Sequence, residues 1–227
     1  MQIEVLYKPS YSLAVIKLSP SEEIRIEAGA MVSMSQGVII ETKAAGGFFK
    51  SLGRSVLGGE SFFQNFFKAP PEGGEITVAP ELPGDVFTYD MSGEKLMIQS
   101  GSFMACETTI ELNTKVSIKA FVAAEGFSML EAEGTGKLLL SSYGAIHEKV
   151  LAAGEKYIVD TTHLVAFPAS MPVERKTVGG LKSTLLSGEG LVVELTGPGR
   201  LLMQTRSPHA FLSWLIPNLP FKRQGEN

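Results

Sequence analysis

The chain has 227 residues, 44% of them hydrophobic and 19% charged, with 24 glycines and 12 prolines; this suits a large, well-buried fold of many short strands and frequent turns rather than long helices. A formal net charge of −4 gives no whole-molecule attraction to nucleic acid or to an anionic membrane face, so nucleic acid is not an expected partner. The single cysteine, Cys106, excludes an intrachain disulfide, and no uncharged apolar run approaches the roughly 20 residues that span a bilayer.

In chain order, the opening Gln2-Ile3-Glu4-Val5 lacks the basic start and apolar core of a secretory signal, and a cytoplasmic location is expected. Glu23-Ile24-Arg25-Ile26-Glu27 alternates apolar with polar residues, as a half-buried strand does. It belongs to a first half-motif: an acidic turn, a short β-prone run, four linking residues and a second apolar group. The copies are Glu22 to Ile26 with Met31-Val32-Ser33, Gly93-Glu94-Lys95-Leu96-Met97-Ile98 with Phe103-Met104-Ala105, and Gly154-Glu155-Lys156-Tyr157-Ile158-Val159 with Leu164-Val165-Ala166. Each predicts two short strands around a bend.

Between these copies lies a second half-motif. It reads Glu60-Ser61-Phe62 with Gly73-Gly74-Glu75-Ile76-Thr77-Val78, then Glu125-Gly126-Phe127 with Gly134-Thr135-Gly136-Lys137-Leu138-Leu139-Leu140, then Glu189-Gly190-Leu191 with Gly197-Pro198-Gly199-Arg200-Leu201-Leu202-Met203. The Gly-x-Gly elements predict hairpin turns. Val116 to Ala120 reads as a half-buried strand and Leu191 to Leu195 as a deeply buried one. Two segments break the β pattern. Gly47 to Leu57 spaces Phe48, Phe49, Leu52 and Val56 in near-helical fashion, and Pro208 to Ile216 predicts two helical turns that start at Pro208 and are closed by Pro217.

The two half-motifs alternate strictly, so the chain reads as a single domain, 1–227, of three β repeats at about 1–78, 79–140 and 141–207, with a C-terminal tail. The spacing exceeds the roughly 20–50 residues of solenoid units. Three lobes about a pseudo-threefold axis are therefore expected in preference to an open rod.

Chemistry-bearing patterns are missing. His147, His163 and His209 form no H-x-H pair, so neither a metal nor a cofactor is expected, and His163, standing where Ser102 stands in the preceding copy, reads as a bend position. Gly126-Phe127-Ser128-Met129-Leu130 lacks the second glycine of a nucleophile elbow, and Gly47 to Ser55 has Arg54 where a phosphate loop needs lysine. No catalytic residue is assigned, and an enzyme is not expected. Cys106, among Phe103, Met104 and Ala105, reads as a small buried residue. Lys50 with Arg54, and Lys222 with Arg223, read as solvated surface charge. The candidate interaction surface is aromatic: Phe48, Phe49, Phe62, Phe63, Phe66 and Phe67, with Trp214 near the C-terminus. Core packing or self-association outweighs a heterologous partner for this cluster, and peripheral membrane contact stays open.

Gly58-Gly59-Glu60-Ser61-Phe62-Phe63, Gln99-Ser100-Gly101-Ser102-Phe103-Met104-Ala105 and the Gly-x-Gly-basic-Leu-Leu elements resemble the family named for altered inheritance of mitochondria, over about Ile3 to Leu215. The resemblance implies a fold like that of the tryptophan RNA-binding attenuation protein. This is all-β, a triplicated, decorated, short double-stranded β-helix with pseudo-threefold symmetry, to which one or two short helices are added. It also implies self-association, with a trimer as the expected assembly, and carries no catalytic residue. The resulting expectation is a non-enzymatic, homo-oligomeric assembly or interaction protein. The alternatives are a small-ligand or lipid-binding module and, behind it, an unrecognised enzyme.

Overall fold

Period-two alternation makes strands, and strands dominate. A computed structural model describes residues 1–44, 63–113, 129–176 and 192–220. The order is β1 (Gln2–Leu6), β2 (Leu13–Leu18), β3 (Glu23–Glu27), β4 (Met31–Met34), β5 (Ile39–Ala44), β6 (Phe63–Lys68), β7 (Gly74–Val78), β8 (Val86–Gln99), β9 (Phe103–Glu107) and β10 (Ile110–Asn113). There follow β11 (Met129–Ser141), β12 (Ile146–Leu151), β13 (Lys156–Asp160), β14 (Leu164–Pro168), β15 (Val173–Lys176), β16 (Val192–Thr196), β17 (Gly199–Gln204) and a helix, α1 (Pro208–Asn218). The segment Gly47 to Leu57 and the strand expected at Val116 to Ala120 lie outside the described residues.

One pairing scheme occurs in three consecutive stretches. In the first, β2 and β4 flank β7 while β3 and β5 flank β6. In the last, β12 and β14 flank β17 while β13 and β15 flank β16. In the middle stretch β8 does the work of two strands, and so does β11. Val86–Ser92 pairs with Thr135–Ser141 and Lys95–Gln99 with Met129–Glu133, while β9 and β10 take the two halves of β11 on its other side. Even the irregularities match. The register slips by one residue between Met31 and Ser33, between Phe103 and Ala105, and between Leu164 and Ala166.

The Gly-x-Gly elements are not the expected hairpin turns. Gly134 and Gly136 sit within β11 at its register shift, and Gly197-Pro198-Gly199 links β16 to β17, which pair with different partners and not with each other. Each is a bend where one strand passes from one set of neighbours to another. Gly136 has φ +140°, and a Cβ there would lie 2.7 Å from Oε2 of Glu107. The positive φ that a hairpin turn demands is thus demanded here by a bend with close approach.

The expected bend between the two parts of the first half-motif is present as a single 3-10 turn, Ser100–Ser102 between β8 and β9 and Thr161–His163 between β13 and β14. Asp160 Oδ1 accepts the N–H of Thr162 at 2.8 Å, and His163 Nδ1 lies 2.7 Å from the Gln204 carbonyl oxygen. His163 is therefore a bend residue, as the sequence suggests. Helix α1 is capped by Ser207, whose Oγ accepts the Ala210 N–H at 3.2 Å, and it runs one residue past Pro217.

Three apolar clusters form the core; the first two extend into the following stretch, and the third reaches back into the middle one through Met97 and Met129. The first unites Ile16, Ile24, Ile26, Phe67 and Ile76 with Met104 and Ala105 of β9. The second unites Leu96, Ile98, Phe103 and Leu138 with Val165 and Ala166 of β14. The third holds Leu151, Val159, Val193, Leu195 and Leu201.

Candidate functional site

The acidic residue that opens each first half-motif has a structural task. Glu22, Glu94 and Glu155 carboxylates accept the backbone N–H groups of Ser19, Ser92 and Ala152 at 2.7, 2.8 and 2.8 Å. Burial opposes the charge on Glu22 and Glu94, yet the Ser19 N–H together with the Met1 ammonium 2.9 Å away on Glu22, and the Glu94 and Ser92 N–H groups with the Ser92 hydroxyl on Glu94, outweigh it and hold both below the ordinary carboxylate range. Glu155 is lowered by the Ala152 N–H first and by Lys149 second. These carboxylates tie down turns and are not poised as acids or bases.

The informative geometry lies where one stretch meets the next. β3 pairs β9 with Ile24 opposite Glu107, Arg25 opposite Cys106 and Ile26 opposite Ala105. β8 pairs β14 with Leu96 opposite Pro168, Met97 opposite Phe167 and Ile98 opposite Ala166. Aligned on the half-motif, these two joints have the same register. Together they knit a 10-stranded sheet, which leaves a 4-stranded sheet ending in β4 and a 3-stranded sheet ending in β13.

Those two ends are the counterparts of strands that are paired at the joints. β4 corresponds to β9 and β14, and β13 to β3 and the second half of β8, but among the described strands β4 pairs only β7 and β13 only β16. The side chains follow suit. Met104 and Val165 are 1% and 0% exposed, whereas Val32 at the same position is 59% exposed. Met97 is 1% exposed, whereas its counterpart Ile158 is 53%. Met31 and Met34 are likewise exposed, where Phe103, Leu164, Cys106 and Phe167 are buried. Among the described edge strands, β4 alone carries no charged side chain and no proline, and so lacks the usual protection against strand addition.

Of the aromatic residues singled out in the sequence, the described ones, Phe66, Phe67 and Trp214, differ in burial. Phe67 is a correction: at 1% exposure it belongs to the first core cluster, because its strand β6 turns it toward Ile24 and Ile26. Phe66 is half-buried beneath the Arg25 guanidinium, 5.2 Å from the ring centroid. The backbone of Phe63 begins β6, while Phe48, Phe49 and Phe62 lie outside the described residues. Trp214 stands on α1 and is 63% exposed, as are Leu212, Ile216 and Leu219 to a lesser degree. The edge residues Val32, Met34 and Ile158 went unselected, since in sequence they look like ordinary strand interior; the half-motif alignment was the signal that could have found them.

Other chemistry is sparse. Cys106 is fully buried, and desolvation pushes its thiol up to about 12. Among the described residues no group of three or more His, Cys, Asp and Glu side chains could hold a metal, and no helix is long and apolar enough to cross a membrane. Asp85, buried where the first two stretches meet, accepts from Ser12 Oγ at 2.9 Å and lies 3.6 Å from Lys8 Nζ. A groove of about 250 Å³ beside it is lined by Tyr11, Ala79, Pro80, Leu82 and Pro83 among others.

Comparison with known proteins matches residues 3–206 to the family described as mitochondrial biogenesis AIM24. An uncharacterized protein of Streptococcus pyogenes serotype M6 is 26% identical over 220 residues, covering 92% of this chain and 88% of that protein. The mitochondrial "altered inheritance of mitochondria protein 24" of Verticillium alfalfae is 26% identical over 171 residues, but this chain spans only 44% of its length. A Streptococcus pyogenes crystal structure superposes with a TM-score of 0.79 at 24% identity, covering 96% of this chain and 99% of the other, a likeness of fold.

Proposed function

Because this chain belongs to the AIM24 mitochondrial biogenesis family, whose relatives' names carry no biochemical activity, we propose its function from its edges: it is a non-enzymatic assembly protein whose copies join head to tail. The three stretches are read as three repeats of one unit, and β13 of one copy pairs with β4 of the next. The register is carried over from the two inner joints: Tyr157 opposite Ser35, Ile158 opposite Met34, and Val159 opposite Ser33. Val32 then enters the third core cluster of the neighbouring copy, as Met104 and Val165 enter the first and second.

One observation carries this reading. On β4, Met31, Val32 and Met34 are apolar and exposed although their counterparts are buried at both inner joints, and on β13 Ile158 is exposed where Met97 is buried at the second joint and Arg25 is half-buried at the first. A joint between unlike surfaces is heterologous, so it closes into a ring or extends as a filament according to the rotation it imposes. A ring of three copies is the assembly to test first. Native mass spectrometry of the purified chain is expected to give a small integer multiple of 24.4 kDa. A monomer at every concentration up to tens of micromolar sinks the proposal, and a defined additional mass on each chain would instead support the small-ligand alternative.

A further inference from the structure

Helix α1 carries two apolar stripes and uses only one. Phe211 faces the body and meets the Tyr143 ring edge-on, centroids 5.9 Å apart. Leu212 and Ile216, at i and i+4, with Leu219 at the C-cap, form a second exposed stripe, while Trp214, 6.2 Å from the Phe211 ring, is exposed on the opposite flank. No residue of α1 is buried, and its sequence Pro208–Asn218 contains no Lys, Arg, Asp or Glu.

What covers this stripe follows from how stretches succeed one another. At the inner boundary the exit from one stretch is the entry to the next. Ser142 N–H donates to Asp85 carbonyl, and Gly144 then exchanges bonds with the preceding entry, its N–H donating to Pro83 carbonyl and its carbonyl accepting from Asp85 N–H, both at 2.9 Å. The last stretch leaves in the same way, with Thr205 N–H donating to Ala145 carbonyl at 3.0 Å and Arg206 N–H to Tyr143 carbonyl at 3.2 Å. Where another stretch would begin, α1 begins. In a head-to-tail assembly the entry that meets this point is Tyr11–Ser12 of the next copy, which lines the groove with Pro80, Leu82 and Pro83 and a single charged residue, Glu81. Tyr11 is 75% exposed in the single chain.

We infer that α1 of one copy docks its second stripe into the Tyr11–Pro83 groove of the following copy, a second clasp beside the β13–β4 pairing. The inference rests on the head-to-tail reading. A neutral helix against a proline- and leucine-lined groove is complementary, whereas a membrane-surface helix would carry a basic face, which α1 lacks.

Trp214 is the sole tryptophan, so combining Trp214→Phe with Ile216→Trp places the one indole in the stripe itself, and its quenching by acrylamide reports on the docking directly. The test compares the oligomer of this reporter chain, the same chain diluted until native mass spectrometry shows single chains, and Val32→Asp in the same background. The quenching constant is expected to be several-fold lower in the oligomer. Leu82→Asp is expected to raise it toward the single-chain value while circular dichroism stays unchanged. An oligomer whose stripe tryptophan is as quenchable as that of the single chain overturns the docking and leaves the β13–β4 joint standing; a chain that never assembles overturns the joint itself. A blue shift seen only on adding vesicles of anionic phospholipid assigns the stripe to a membrane and also overturns the docking.

Discussion

Replacing Val32 by aspartate separates folding from assembly. In the single chain this side chain is 59% exposed on an edge strand, and surface changes of that kind shift stability by only about 0.5 kcal/mol. In the joint it fills the site that Met104 and Val165 fill at 1% and 0% exposure. Full burial of such a side chain is worth roughly 1.5–3 kcal/mol, so covering its exposed part contributes about 1–2 kcal/mol. The carboxylate would also enter a cluster of Val159, Val193 and Leu195, where an unpaired charge costs several kcal/mol more. A total near 4 kcal/mol weakens each joint about a thousandfold. Sedimentation velocity and native mass spectrometry at micromolar concentration are expected to show wild type assembled and the variant as single chains, with similar thermal midpoints under conditions where both are dissociated. Assembly of Val32→Asp at the wild-type concentration would falsify the joint.

Three further outcomes are expected. Phe67→Ala, which empties a site of 1% exposure in the first core cluster, should lower folding stability by about 3–5 kcal/mol in denaturant titration; a change below 1 kcal/mol would return Phe67 to the surface. Glu22, Glu94 and Glu155 have folded pKa values below their unfolded ones, so their stabilisation is present above the ordinary carboxylate range and is lost as pH falls through the lowered values. Thermal midpoints should therefore drop below about pH 4.5, and Glu94→Gln should flatten that drop; an unchanged profile refutes the turn-tying role. Cys106, with its thiol pushed up to about 12 by burial, should resist a thiol reagent at pH 8 in the native protein and react within minutes in guanidinium; rapid native labelling contradicts the packing described.

The sequence made the strands legible wherever one face of a strand is buried, as at β3, because alternation is a local property of half-buried strands. The acidic turns and the bend at His163 were legible for the same reason. The Gly-x-Gly elements were misread as hairpins because a hairpin and a bend between sheets ask the same thing of the backbone, positive φ or close approach, and only the identity of the pairing strands tells them apart. The open edges were not legible. Ile158 and Met34 have the composition of interior strand residues, and their meaning comes from a missing neighbour, which is a property of long-range register. Crowding of aromatics in sequence does not decide facing: β6 sends Phe67 into the core, in line with the core-packing reading, while Phe66 stays half-buried beneath Arg25.

The two inner joints are held within one chain, by the links that run through Gly84 and through Gly144. They form at an effective concentration set by those short tethers, so dilution does not reach them. In the proposed head-to-tail assembly the outer ends would have no such tether and would answer to protein concentration. Scarcity would then leave folded single chains whose uncharged β4 edge pairs, among the described strands, only β7, the kind of edge that recruits stray strands, which would give a cell a reason to keep the supply of this chain steady.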